Sequence, residues 1–175
     1  MAGNVSTSPA YCLYGVGHGL HVVHNPVVPW NPIIFFRRRG PLTTAESGVA
    51  AQRFAERALK RQGYRTIARN LADGGGELDL VMRHKGFDGM VVIEVRSYSA
   101  NTNLRQEEVL PPSKQEQVVS AARRLLPRLA KKSSKDRHQG IRFDAVLVKL
   151  DATSGRPVSM EHFENAFTST RRDWF

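Results

Sequence analysis

The chain has 175 residues, of which 41% are hydrophobic and 24% charged, enough apolar material for one core of ordinary size. One cysteine, Cys12, excludes an intrachain disulfide framework and a cysteine-rich zinc site, and no apolar run approaches the ~20 residues of a membrane-spanning helix. Lys and Arg number 26 against 16 Asp and Glu, a formal net charge of +10, which points to a polyanionic partner, nucleic acid before an anionic membrane surface.

Residues 1–42 read as an N-terminal extension. Residues 1–40 hold no acid, and their only Lys or Arg are Arg37, Arg38 and Arg39. Pro26, Pro29 and Pro32 break any helix there. No basic region precedes an apolar run, so the pattern is not that of a secretory signal. With the lone cysteine, this places the protein in the cytoplasm as an expectation. His18, His21 and His24 recur every three residues, but the segment offers no partners to orient them as metal ligands.

A folded domain is expected over 43–170, followed by a short tail at 171–175. Thr43 to Glu46 has the pattern of a capping box. Val49, Phe54, Ala55, Ala58 and Leu59 then follow at near-helical spacing, and Gly63 ends the helix. Tyr64 to Ala68 predicts a short strand, Asp73 to Gly76 a turn, and Glu77 to Met82 a half-buried strand. Lys85-Gly86 and Asp88-Gly89 mark a loop, and Met90 to Val95 predicts a strand. Residues 97–112 read as a long polar loop. Ser113 to Glu116 predicts a second capping box, opening a helix that Pro127 should kink or end. Ile141 to Leu150 predicts a strand, Gly155 to Pro157 a turn, and a last strand or turn reaches Phe163 and Phe167. The order implies an α/β fold, a mixed central sheet flanked by helices.

The chemistry concentrates in Gly76-Glu77-Leu78-Asp79-Leu80 and Ile93-Glu94-Val95-Arg96. A hairpin centred near Gly86 and Phe87 would set Asp79 opposite Glu94 and Glu77 opposite Arg96. All four side chains then share one face, with Leu78, Leu80, Ile93 and Val95 on the other, against the core. Facing carboxylates repel unless a cation binds between them. Hard oxygen ligands favour Mg²⁺ or Mn²⁺, which polarises a phosphodiester and lowers the pKa of a bound water. Arg96 could stabilise the charge that develops. A solvated sheet face without metal, and a Glu77–Arg96 ion pair, are the plain alternatives. Arg123, Arg124, Arg128, Lys131, Lys132, Lys135 and Arg137 cluster around the end of the second helix, where phosphate contact competes with dipole capping. Lys114, at the start of that helix, is a further candidate for phosphate contact. Arg142 and Asp144 should pair structurally along one strand.

Gly-Glu-Leu-Asp-Leu at 76–80, Val-Val-Ile-Glu-Val-Arg at 91–96, Ser113-Lys114 and Arg142-Phe143-Asp144, with Gly63-Tyr64 and Arg69-Asn70, resemble the YraN family from about Gln52 to Phe167. The resemblance implies the restriction-endonuclease-like, PD-(D/E)XK fold, similar to Holliday-junction resolvases. It also implies Mg²⁺- or Mn²⁺-dependent hydrolysis of DNA, branched DNA among the substrates. The implied metal set is Asp79, Glu94, the Val95 carbonyl and Gln52, with Asp79, Glu94 and Arg96 as the catalytic residues. Lys114, Arg123, Arg124, Arg128, Lys131 and Lys132 would contact nucleic acid. No membrane partner is expected, and resolvase-like domains often form homodimers. The family usually has Glu at the position of Gln52 and Lys at the position of Arg96. Arginine cannot serve as a general base. Two functions therefore stay open, a metal-dependent endonuclease and a nucleic-acid-binding module that keeps the fold without hydrolysis. A protein-interaction domain whose charge serves solubility is the third.

Overall fold

The computed structural model describes residues 40–100, 110–130 and 140–169. The extension before residue 40, Lys131, Lys132, Lys135, Arg137, His138 and the 171–175 tail lie outside these residues. Helix α1 spans Thr44–Arg61, and its N-cap is Thr43. The Thr43 hydroxyl accepts from the Glu46 N–H at 3.3 Å, and the Glu46 carboxylate accepts from the Thr43 N–H at 2.9 Å. Orphan amides of the first turn are thereby satisfied in the predicted reciprocal way. Ser47, Ala51, Ala55 and Leu59 recur every four residues and form the buried stripe. Gly63 lets the chain leave the helix in the left-handed region, at φ 96°.

Five strands follow the order β1-β2-β3-β4-β5 across one sheet. They span Tyr64–Ala72, Glu77–His84, Phe87–Ser99, Gly140–Leu150 and Pro157–Phe167. Helix α2 spans Pro112–Ala130 and connects β3 to its parallel neighbour β4. All other neighbours are antiparallel. Helix α1 packs its Ala51, Ala55 and Leu59 on Leu80, Met82, Val91, Ile93, Val146 and Val148. Helix α2 packs Val118, Ala121, Ala122, Leu125 and Leu126 with Leu78, Val81, Met90, Val92, Phe143 and Ala145. Covering both faces explains the unbroken apolar run Met90 to Ile93, since a middle strand has no solvent side. Among the described residues, no helix is long and apolar enough to cross a membrane.

Several local expectations need correction. The first strand runs to Ala72, and the last is a full strand of 11 residues. The 85–89 loop contracts to Lys85-Gly86, because His84 pairs with Phe87 and Asp88-Gly89 enter β3. The strand then continues to Ser99, through the start of the expected 97–112 loop. Ser113 is not an N-cap. The helix opens at Pro112, and the Pro111 carbonyl accepts from the N–H groups of Lys114 at 2.9 Å and Gln115 at 3.1 Å. Proline suits a first helical position because its missing N–H would be unpaired there anyway. Pro127 does not end the helix, which runs to Ala130. It removes one hydrogen bond near a terminus, while Leu125, Leu126 and Leu129 continue to pack. His84 and His162 lie on strands, with His84 stacked on Tyr64 at 4.4 Å.

Gly89 carries a steric demand. A Cβ there would stand 2.0 Å from the carbonyl oxygen of Gly140, its parallel partner. Gly89→Ala must push β3 and β4 apart, and about 2–3 kcal/mol of destabilisation is expected from such overpacking. Gly48→Ala meets nothing within 4 Å on α1 and should stabilise by up to ~1 kcal/mol. Urea midpoints of the two variants are expected to move in opposite directions.

A polar network fixes β4 against β5 on the α1 face. Asp144 is fully buried. It accepts from Arg142 Nε and an Arg142 terminal nitrogen, both at 2.8 Å, and from the Asn165 N–H at 2.9 Å. His162 Nε2 lies 2.9 Å from its Oδ2. Arg142 also donates to the Tyr64 hydroxyl at 2.6 Å, which donates to Glu164 at 3.0 Å. The expected Arg142–Asp144 pair is thus the centre of a larger structure.

Candidate metal centre

The site forms where the β2–β3 ladder opens. Leu80 pairs with Ile93, Val81 with Val92 and Met82 with Val91, the register that sets Asp79 against Glu94. Beyond Leu80 a side chain replaces the ladder, and the Val95 N–H donates to Asp79 Oδ2 at 2.8 Å. The shorter turn does not disturb this register, because β3 carries two extra residues between Phe87 and Val91 relative to β2.

Glu94 is only 4% exposed and Asp79 is half-buried, so the plain alternative of an open solvated face does not describe this pair. Leu78 packs with the α2 cluster, whereas Leu80 and Ile93 pack with α1. Simple alternation therefore fails between Leu78 and Leu80. Asn70, across from this stretch on β1, has φ 45°. Burial pushes the Glu94 carboxyl up to about 7, with the Asp79 charge as the second cause. Burial also raises Asp79, opposed by its hydrogen bond from Val95 and by the Lys114 charge.

Lys114 of α2 answers this acid pair. Its ammonium lies 2.9 Å from Glu94 Oε1, and its side chain is 29% exposed. Asp79 Oδ1 and Glu94 Oε2 have no hydrogen-bond partner among the described residues. Two neighbouring carboxylates, Glu94 buried and Asp79 half-buried, each with an oxygen to spare, fit a hard divalent ion. Arg96 and Glu77 are exposed, act on Asp79 through their charges, and form no ion pair with each other among the described residues. Val95 contributes its N–H as described.

Gln52 projects from α1 to the same point of β2. Its amide nitrogen donates to the Asp79 carbonyl oxygen at 2.9 Å and to the Asn70 side-chain oxygen. Both partners are acceptors, so the donor end of the amide must face them. Glu56 does not stand in for a missing acid. Arg69 holds it at 2.6 and 2.8 Å, Lys60 at 2.8 Å and Thr66 at 2.6 Å. These contacts, led by Arg69, bring it down to about 2.

Of the expected phosphate contacts, Arg124 pairs with Asp73 at 3.0 Å and donates to Ser120 at 2.7 Å. Arg123 donates to Ser169 at 3.1 Å, and Arg128 is exposed. Sequence reasoning passed over a second basic surface. Arg53, Arg57, Lys60 and Arg61 line the exposed side of α1, and Arg65 and Arg69 continue it onto β1. The signal was readable as cations spaced four apart opposite the apolar stripe.

A mixed central sheet between helices is the α/β architecture that the sequence led us to expect. The chain belongs to the Uncharacterised protein family UPF0102, the YraN family, whose model matches residues 51–148. A UPF0102 protein of Pelobacter propionicus is 32% identical over 136 residues, covering 75% of this chain and 92% of that one. A Bifidobacterium longum relative is 32% identical over 72% of this chain and 96% of its own. One from a Polaromonas species is 38% identical over 62% and 70%. Among solved structures, that of Pyrococcus furiosus SfsA in complex with Ca²⁺ is 17% identical at a TM-score of 0.31, covering 69% of this chain and 63% of that one.

Proposed function

We propose that this protein is a metal-dependent, endonuclease-like protein that hydrolyses DNA phosphodiester bonds, branched DNA included, in the bacterial cytoplasm. The observation that carries the reading is the convergence of Asp79, half-buried, and Glu94, buried, at the opening of the β2–β3 ladder. Mg²⁺ or Mn²⁺, when bound, supplies Lewis-acid polarisation of the phosphate and activation of water. Asp79 and Glu94 would hold the ion, with the Val95 carbonyl as a further donor. The Val95 N–H fixes the orientation of Asp79, and Gln52 fixes the backbone beneath it. Arg96, exposed two residues beyond Glu94, would contact a phosphate oxygen. The formal charge of +10 favours the approach of DNA.

A second reading keeps DNA binding and drops hydrolysis. It is favoured by Gln52, whose amide serves the Asp79 backbone and brings no charge. The purified protein, incubated with four-way and linear DNA in Mn²⁺ or EDTA, separates the two. Chelator-sensitive cutting that Asp79→Ala and Glu94→Ala abolish is the expected result. Salt-sensitive binding without cutting, retained by both variants, would replace the enzyme by the module.

A further inference from the structure

Two cations attend the acid pair, and they differ in kind. Arg96 follows Glu94 on β3 by two residues and is exposed. Lys114 comes from another element and makes the 2.9 Å contact with Glu94. Resting on the metal-centre reading, we propose that Lys114 is the resident counter-ion of the site. Its ammonium occupies cation space beside Glu94 in the metal-free protein, and an incoming divalent ion displaces it toward the DNA phosphate.

The geometry supports exchange rather than coexistence. Lys114 sits in the first turn of α2, whose position is fixed by Val118, Ala121 and Ala122 against the sheet. Its backbone N–H is already engaged by Pro111. Only the four-carbon stem needs to move, and a stem with partly exposed atoms swings by rotamer change alone. Glu94 is nearly sealed from water, so without a cation its charge has little solvation. A divalent ion bound to the spare oxygens of the same two carboxylates repels the ammonium across a single carboxylate group. Arg96 has no such contact to lose.

Mn²⁺ alone, titrated into the full chain and followed by the electron paramagnetic resonance signal of the free ion, tests this. Lys114→Met is expected to bind Mn²⁺ about tenfold more tightly than the parent, the equivalent of one charge-assisted hydrogen bond removed from competition. Lys114→Arg keeps a cation and should stay within about threefold, as should Arg96→Met. In a Glu94→Gln background, Lys114→Met should change affinity less than about twofold, because the carboxylate charge that held the ammonium is already gone. Equal or weaker Mn²⁺ binding by Lys114→Met overturns the proposal, as does a failure of both proteins to bind. An equal gain in Arg96→Met overturns it also, by making the effect one of net charge. Cutting is read separately. Tighter Mn²⁺ binding by Lys114→Met with no cutting by the parent upholds the exchange and removes hydrolysis.

Discussion

Glu94→Gln is expected to lower divalent-dependent cutting by at least about a thousandfold, while raising the stability of the metal-free protein at pH 8. The two signs have one cause. Burial, and then the charge of Asp79, push the Glu94 carboxyl up to about 7 from an ordinary value of 4.5. The folded protein therefore holds this proton more tightly than the unfolded chain. Stability is full below about pH 4.5, declines as pH rises toward 7, and stays reduced above it. A neutral glutamine removes the decline. Net of the lost contact with Lys114, the variant should exceed its parent by roughly 2–3 kcal/mol at pH 8 and match it near pH 4. Urea unfolding in EDTA at both pH values reads the difference. Adding Mn²⁺ should stabilise the parent far more than the variant. A variant less stable than its parent at pH 8 would mean that Glu94 is held as a welcome anion, and that the site needs no divalent ion.

Asp144→Ala carries the largest expected structural cost. It removes the acceptor of two Arg142 contacts, of the Asn165 N–H and of His162, all around a carboxylate with no exposed surface. Breaking one side of a buried ion pair leaves an uncompensated charge and costs about 3–5 kcal/mol, a large part of the stability of a domain this size. Asp144→Asn keeps the shape and one acceptor oxygen, and about 2 kcal/mol is expected for it. Guanidinium midpoints at pH 7 check both. A loss below about 1 kcal/mol for the alanine variant would show that β4 and β5 are aligned by their apolar contacts instead.

Local rules made much of this molecule readable. The capping box at Thr43, the stop at Gly63 and the β2–β3 register that brings Asp79 toward Glu94 follow from short-range chemistry and strand pairing, and the structure keeps them. The errors arise where distant elements decide. Helix α2 lies over the sheet face that carries the acids, and Glu94 is buried there, a depth that strand alternation alone does not give. No local signal says that Lys114 reaches Glu94 twenty positions earlier, because that contact depends on the crossover from β3 to β4. Pro127 persists in its helix because tertiary packing outweighs one lost bond. The Asp144 network was visible only as an Arg-x-Asp pair, since Tyr64, His162 and Glu164 join it from strands at both ends of the chain.

Where the sheet forks, a backbone proton is held by a carboxylate instead of a neighbouring peptide. That proton gives the protein a built-in spectroscopic gauge. In an isotope-labelled sample, the Val95 amide resonance should move strongly when Asp79 gains a proton or gives its electrons to another ligand, while Val92, deep in the regular ladder, stays still. One peak in a proton–nitrogen spectrum would then follow the charge of the centre without substrate or turnover.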